Sequence, residues 1–499
     1  MAGPVAGKLT LAIPLPYSDA FPRPSPAMKP AHLALTATAV LLATFSGASA
    51  YTAWRSHQQL DKLNQAMVQY PLLKVISRSK TYSLWQSEET VSYQLGCDNE
   101  INSELFGGTR PGITVRNTVS HNPFSPGVRT DIIWPANWAE PIKQLFGDAQ
   151  PLSIQTRAGW LGQMETRISS PGFRVEKNGN MLHWKGLEAT FQYDLPLQNL
   201  QHELVLRGSD ASDAQGRFKL STQDLQHKGQ YQRSSSGLLL GQETLRFGGV
   251  QLAASQGDTP HSFSAGVLET SMQSSEQGGM VALSGKGSWV GLHYNSKPLG
   301  DLSGQASLSR LDAKALADYN KQALTQGVLQ CHFDSQLANP AHRALLARIL
   351  SHSPAFAQVI ALANPEGNST LNIKASLSAP SEGELAGNDA ALAKKLALQT
   401  LISWPQILPE RWINDFAPEA QRDALVQSYR SMVSQMLAAG SLQQAGALLQ
   451  TRFELADGKL LQNGKPYQPQ RGPALAASEP AAEAIDPAIP VAPDEALSQ

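Results

Sequence analysis

Several patterns in the chain carry residue types that do chemistry when correctly placed. Gly285-Lys286-Gly287-Ser288-Trp289-Val290-Gly291 approximates a phosphate-binding glycine fingerprint. Such a loop aims backbone N–H groups at phosphate from the start of a helix. Here the third glycine falls one position late and no helix or βαβ unit follows, so the segment reads as a hairpin turn. Ser77-Arg78-Ser79-Lys80 has the Ser-x-x-Lys spacing that sets a lysine beside a nucleophilic serine on a helix. This segment reads as strand, and the companion Ser-x-Asn and Lys-Thr-Gly elements are missing. His202-Glu203 begins like a zinc-protease helix but lacks the second histidine. His121-Asn122-Pro123-Phe124, preceded by Val119-Ser120, is a compact polar-then-turn piece and the candidate functional segment of the chain. Cys97 and Cys331 permit one disulfide in an oxidising compartment; without a CxxC partner, neither reads as a redox or zinc site. No catalytic residue, metal ligand or cofactor site is assigned, and the expectation is a protein without cofactor that is not an enzyme.

The elements that would position these residues are mostly strands. From Leu72 to about Leu311 apolar residues alternate with polar ones: Leu182 with Trp184, Leu204 with Leu206, Leu245 with Phe247, Leu292 with Tyr294. Period-two patterning separated by turn residues predicts antiparallel sheet with one face covered. Turn chemistry stands at Lys177-Asn178-Gly179-Asn180, Gly208-Ser209-Asp210 and Asn295-Ser296. The phase slips between Trp184 and Leu187, across Gly186, as a β-bulge would make it. Pro135, Trp138, Pro141, Leu145 and Phe146 read as a loop packed on the sheet. From Asp312, a fitting N-cap, helical spacing takes over. Helix is expected over Pro340–Ala363, either continuous or broken at Ser353-Pro354, and over Ala390–Thr400 and Pro418–Gln450, with one inserted strand around Leu371–Leu377. Asp457-Gly458 and Asn463-Gly464 predict a closing hairpin meander.

The termini differ from this body. Ala31 to Trp54 is free of Lys, Arg, Asp and Glu and is long enough to span a bilayer. Tyr51 and Trp54 lie at its end, where amphipathic rings favour the membrane–water interface. The run is either an uncleaved anchor or a signal cut after Ala50. Residues 1–27 are proline-bearing and aperiodic, and Met28-Lys29 resembles a start with a short basic region, so translation is expected to begin at Met28. The chain carries a net charge of -1 with 16% charged residues, against about 25% in average proteins. That argues against nucleic acid, whose phosphates require clustered Lys and Arg. The end after Arg471 is Ala-, Pro- and acid-rich and is expected to be a disordered tail.

Several of these segments resemble the YdgA-like family of Gram-negative bacterial envelope proteins, a family largely of unknown function. The matching residues are Gly47 to Trp54, Val119 to Phe124, Gly304 with Leu308, Leu311-Asp312, Ala315-Leu316, Tyr319-Asn320 and Leu455 to Leu460 with Asn463-Gly464. They span about residues 28–470. The resemblance implies a single inner-membrane anchor and a periplasmic body, and it supplies no site residues. Residues 1–27, the acidic tail and the sparse basic region before the span depart from the pattern.

The combined expectation is an α+β protein. It has an upstream extension at 1–27, an anchor or signal at 28–54 and an amphipathic stalk helix at 55–70. An antiparallel β-rich domain at 71–311 follows, then a mainly helical region at 312–450, the meander at 451–470 and the tail at 471–499. The expected role is an envelope interaction or scaffold protein, with a protein partner or a second copy bound. One alternative is a carrier or binder of a lipid or other apolar ligand. The other is a hydrolase whose site is assembled from scattered residues.

Overall fold

The computed structural model describes residues 73–82, 86–95, 112–120, 127–159, 162–194, 196–256, 259–324, 340–387 and 389–467. The expected span, the stalk, the tail, Tyr51, Trp54, Cys97, Cys331 and His121 to Phe124 lie outside them. Among the described residues no helix is long and apolar enough to cross a membrane.

The described chain is dominated by antiparallel strands. The first are β1 (Leu73–Tyr82), β2 (Gln86–Leu95), β3 (Gly112–Ser120), β4 (Gly127–Ile133), β5 (Ser153–Ala158), β6 (Gln163–Ser170), β7 (Phe173–Lys177) and β8 (Asn180–Trp184). Then come β9 (Leu187–Asp194), β10 (Asn199–Leu206), β11 (Ser209–Ser212), β12 (Phe218–Thr222), β13 (Leu225–Arg233), β14 (Leu239–Phe247) and β15 (Val250–Gln256). They are followed by β16 (Thr259–Ala265), β17 (Leu268–Gln277), β18 (Met280–Tyr294), β19 (Lys297–Asp312), β20 (Ala355–Asn364) and β21 (Gly367–Leu377). The last are β22 (Leu396–Pro405), β23 (Gln443–Ala445), β24 (Leu448–Ala456), β25 (Lys459–Gln462) and β26 (Lys465–Pro466). Helices are α1 (Ala136–Phe146), α2 (Ala313–Gln322), α3 (Pro340–Ile349), α4 (Glu382–Leu385), α5 (Asp389–Lys395), α6 (Leu408–Phe416) and α7 (Arg422–Ala438).

The strands form one sheet folded into two arms. The long arm pairs β6 with β9, then β10, β13, β14, β17, β18, β19 and β20 in that spatial order. The short arm pairs β7, β8, β11, β12, β15 and β16, and rejoins the long arm at the end of β18. The chain passes from one arm to the other at β8–β9, β10–β11, β12–β13, β14–β15 and β16–β17. Pairing continues through the bend: Lys185 N donates to Gly208 O, Arg207 N to Gly186 O, and Gln223 N to Gly249 O. Each such crossing is one long strand creased in the middle.

Glycine makes the crease. Gly208 has φ +86, and a Cβ there would lie 2.2 Å from Thr222 O. No L side chain fits that conformation and that gap together. The phase slip at Gly186 is therefore a corner between arms rather than a bulge within one strand. The Gly208-Ser209-Asp210 segment is likewise a corner running into β11, not a turn between strands.

Two apolar cores flank the creased region. One lies under β2 to β6 and β9 and holds Val91, Ile113, Val115, Ile154 and Ile168. Beside it, Thr130 Oγ1 donates to Asn117 Oδ1 at 2.8 Å, which satisfies two buried polar groups. The other core joins Val281 and Leu311 to Ala315, Leu346, Ile349 and Leu377 beneath α2 and α3. Asp312 caps α2 as expected, accepting from Ala315 N at 2.7 Å.

Four further expectations are corrected. The 136–146 segment is helix, with Pro141 inside it, not loop. The stretch expected as helix to Ala363 stops at Ile349, and Ala355–Asn364 is strand β20. β20 lies between β19 and β21 with apolar residues on both faces, so it shows no period-two signal. Helix α5 likewise ends at Lys395 and gives way to β22, and α7 ends at Ala438 before β23 and β24. The region after Asp312 is thus mixed, with the sheet continuing through it. The hairpin turns at Asn178-Gly179, Asn295-Ser296, Asp457-Gly458 and Asn463-Gly464 all have positive φ at both central residues, as their residue types predict.

Candidate functional site

The crease sets one row of large apolar side chains side by side. Leu187, Leu206, Leu225, Phe247, Leu268, Trp289, Leu302 and Leu362 are direct cross-strand partners in sequence along the long arm. Side chains directly opposite in a ladder share a face. These eight therefore line one continuous stripe across eight strands, about 34 Å from seven spacings of about 4.8 Å. The short arm carries a matching stripe of Val175, Leu182, Ala211, Leu220, Leu252, Phe263 and Tyr294. Phe263 and Trp289 meet edge to face across the bend, with ring centroids 6.4 Å apart. The apolar faces of the two arms are thus turned to the same side, and the crease is the floor of a gutter.

This stripe is not a packed core. All eight long-arm residues are only half-buried, and none belongs to either core cluster. Leu182 on the short arm is 44% exposed. Aromatic contacts mark the two ends. Phe146 of α1 meets Phe173 of β7 at 5.1 Å, and Phe416 of α6 meets Tyr294 of β18 at 5.5 Å.

Above the floor the same face of the long arm carries a polar cluster on β10, β13 and β14, set among Leu204, Phe191 and Leu245. His227 follows Leu225 by two residues, about 7 Å higher at two strand residues. His202 and Glu243 lie about twice as high, level with Gly229 and Met272 in the ladders. His202 Nε2 and His227 Nδ1 are 3.1 Å apart. His227 Nε2 stands 3.6 Å from Glu243 Oε2, and Tyr231 Oη donates to that oxygen at 2.5 Å. The His202 ring stacks on Tyr231 at 5.8 Å and 15°. Only glycine lets these rings approach: a Cβ on Gly229 would sit 2.4 Å from His202 Cε1.

The electrostatics of this cluster follow from its setting. Burial, reinforced by His227, pushes His202 below the ordinary histidine range, with Glu243 pulling the other way. Burial and the Glu243 hydrogen bond push Tyr231 up to about 12. Two arrangements satisfy the groups: His227 Nε2–H facing Glu243 with His202 Nε2–H donating to His227 Nδ1, or His227 carrying both protons with Nδ1–H donating to His202 Nε2. In both, His202 Nδ1 has no partner among the described residues. Among the described residues no group of three or more His, Cys, Asp or Glu is placed to hold a metal ion.

The opposite face of the long arm is hydrophilic. A hollow of about 810 Å³ there is lined by Gln226, Lys228, Thr244, Ser271, Lys286 and Gln305 among others. Lys228 pairs with Glu203 at 2.9 Å and Arg246 with Glu269 at 3.4 Å, whereas Lys286 has no acidic partner among the described residues.

The segments singled out in the sequence fall elsewhere or in other roles. Gly285 to Gly291 lies within β18, where Met272 and Thr270 side chains pack over Gly285 and Gly287; it is not a turn. Ser77 to Lys80 lies on β1, with Lys80 3.8 Å from Glu89. His202 is on a strand, not a helix. His227, Tyr231, Glu243 and the apolar row were not singled out. One signal could have found the row: large apolar residues recur within two positions of a glycine at Gly186-Leu187, Leu206-Arg207-Gly208, Phe247-Gly248, Trp289-Val290-Gly291 and Gly300-Asp301-Leu302.

The chain matches, over residues 28–470, a family described as a bacterial protein of unknown function (DUF945), and it belongs to that family. No curated protein and no solved structure matches it.

Proposed function

We propose that this chain is a non-enzymatic binder of an elongated apolar ligand, the acyl chain of an amphiphile, held in the gutter. The supporting observation is the unbroken row of eight large apolar side chains that neither core uses. A closed sandwich would bury such a row fully; here it is left partly exposed over about 34 Å. The floor narrows to one side chain per strand where the arms meet, a shape suited to a chain one methylene wide rather than to a helix about 10 Å across. The reading carries with it the anchor expected at residues 28–54, a periplasmic position for the body, and a place among YdgA-like envelope proteins. Mass spectrometry of molecules extracted from the purified full-length chain tests it. Acyl-chain compounds in near-stoichiometric amount are expected. A chain that yields none, and takes up no fluorescent fatty acid afterwards, overturns it.

The hydrophilic face supports a second reading, an interaction surface for an envelope scaffold. Its Gln, Ser, Thr and Lys lining offers hydrogen-bonding groups to a protein partner or a second copy. Site-specific photocrosslinking from Ser271 in cells tests it: a discrete adduct supports the surface, and monomer alone counts against it.

A further inference from the structure

We infer that His202 is the headgroup contact of the gutter, taking a hydroxyl of a glycerol- or sugar-bearing amphiphile through its Nδ1. This rests on the proposed acyl-chain reading and adds the class of ligand to it. An amphiphile lying along the row needs a polar group at the lip, not at the floor, because an unpaired polar group against apolar surface is costly. Within the creased region the gutter face of the long arm supplies that change over a short height. It runs from Leu225 through His227 to Tyr231 on β13, and from Phe247 through Leu245 to Glu243 on β14. Next to this cluster the same face carries small residues: Thr270, Gly287 and Gly304 are consecutive ladder partners, and so are Met272, Gly285 and Ala306. Met272 there is 51% exposed.

The chain Glu243, His227, His202 fixes what the headgroup meets. Glu243 Oε2 stands 3.6 Å from His227 Nε2, and His227 Nδ1 stands 3.1 Å from His202 Nε2. The atom left outward is His202 Nδ1, a lone pair in one arrangement and an N–H in the other. A hydroxyl satisfies it in both, as donor or as acceptor, whereas a carboxylate or phosphate oxygen satisfies it in only one. Tyr231, stacked on His202 and tied to Glu243, is a positioning residue that keeps the ring upright.

The test uses the full-length chain, a long-chain monoacylglycerol, and the same compound with both hydroxyls methylated. Wild type is expected to prefer the diol by about tenfold, the upper end for one neutral hydrogen bond. His202→Phe keeps the stacked ring and removes the nitrogen. Its preference should fall within about twofold while its affinity for the dimethyl ether is unchanged, a coupling that a merely structural role would not show. A preference that persists in His202→Phe overturns the inference. So does a wild type that binds diol and ether equally, with the gutter reading left standing. A wild type that binds neither compound overturns the gutter reading itself. Should His202→Phe lack a cooperative melt, Glu243→Gln serves instead. It frees the His227 proton to face either way, so the diol preference should fall severalfold, and an unchanged preference there overturns the inference equally.

Discussion

Replacing Leu225 with Glu places a carboxylate in the floor of the gutter, between Leu206 on β10 and Phe247 on β14. Leu225 is half-buried and belongs to neither core, so the fold should tolerate the change. A bound acyl chain should not. At that crossing it loses contact worth two or three methylenes, about 2 kcal/mol at about 0.8 kcal/mol each, which is roughly thirtyfold in affinity. The control is Thr244→Glu, the same charge one strand away on the hydrophilic face, expected to change affinity less than about twofold. The assay is displacement of a fluorescent fatty acid from the full-length chain kept in solution by an amphipathic polymer, with a thermal melt for each variant. Affinity for a series of unbranched acids should also climb about fourfold per added methylene until the gutter is filled. Three results would refute the reasoning. They are equal binding by wild type and Leu225→Glu, equal losses in both variants, and no dependence on chain length.

Other perturbations test the fold around the site. Gly208→Ala should destabilise the protein by about 2 kcal/mol or more in urea, because the new Cβ meets Thr222 O at a positive φ. Ser381→Ala removes one half of the capping box with Glu384 at the start of α4 and should cost about 1 kcal/mol. The hydroxyls of Ser234, Ser235 and Ser236 hold the Glu276 carboxyl down at about 2. A depressed folded value means the contribution is present above the unfolded range and is lost as pH falls from about 4.5 towards 2. Melting of Glu276→Gln should therefore approach wild type at the acid end, and an equal gap at neutral and acid pH would contradict the assignment. Glu243→Gln should bring Tyr231 down from about 12, read by ultraviolet titration, since the carboxylate is one of its causes.

Sheet, strand alternation, hairpin turns and the Asp312 cap were legible because each is a local pattern. The crease was not. Seen along one strand, the slip at Gly186 and the turn residues at Gly208 look like a bulge and a loop. Only their alignment through Lys185, Arg207, Gly248 and Gly266 hydrogen bonds makes them one fold line. The polar lip was hidden for the same reason. His202 and His227 are 25 residues apart, and the chain visits the short arm through β11 and β12 between them. Their pairing follows from β10 meeting β13, which no sequence interval announces. Strand β20 was missed for a different cause. With Phe356, Ile360 and Leu362 on one side and Val359 on the other, its apolar residues do not alternate, and continuous apolar runs do not distinguish helix from strand.

The unequal length of the arms explains why the gutter stays open and why its chemistry is graded. On the long arm β10, β13 and β14 run eight to nine residues from the crease. On the short arm β8, β11 and β12 run four to five. Along β8, β11 and β12 the short arm therefore reaches only the floor row and the row above it, near the level of His202, whereas β15 and β16 run seven residues. Had both arms been of equal length, two apolar faces about 10 Å apart would have closed into an ordinary sandwich core. The histidines would then have been buried among aliphatic side chains, where their charge and hydrogen-bonding needs are hardest to meet. A short second arm leaves the apolar floor sheltered and the titratable lip in reach of water. In the proposed function, a sheet graded in this way would hold the tail of an amphiphile by area and its head by hydrogen bonds.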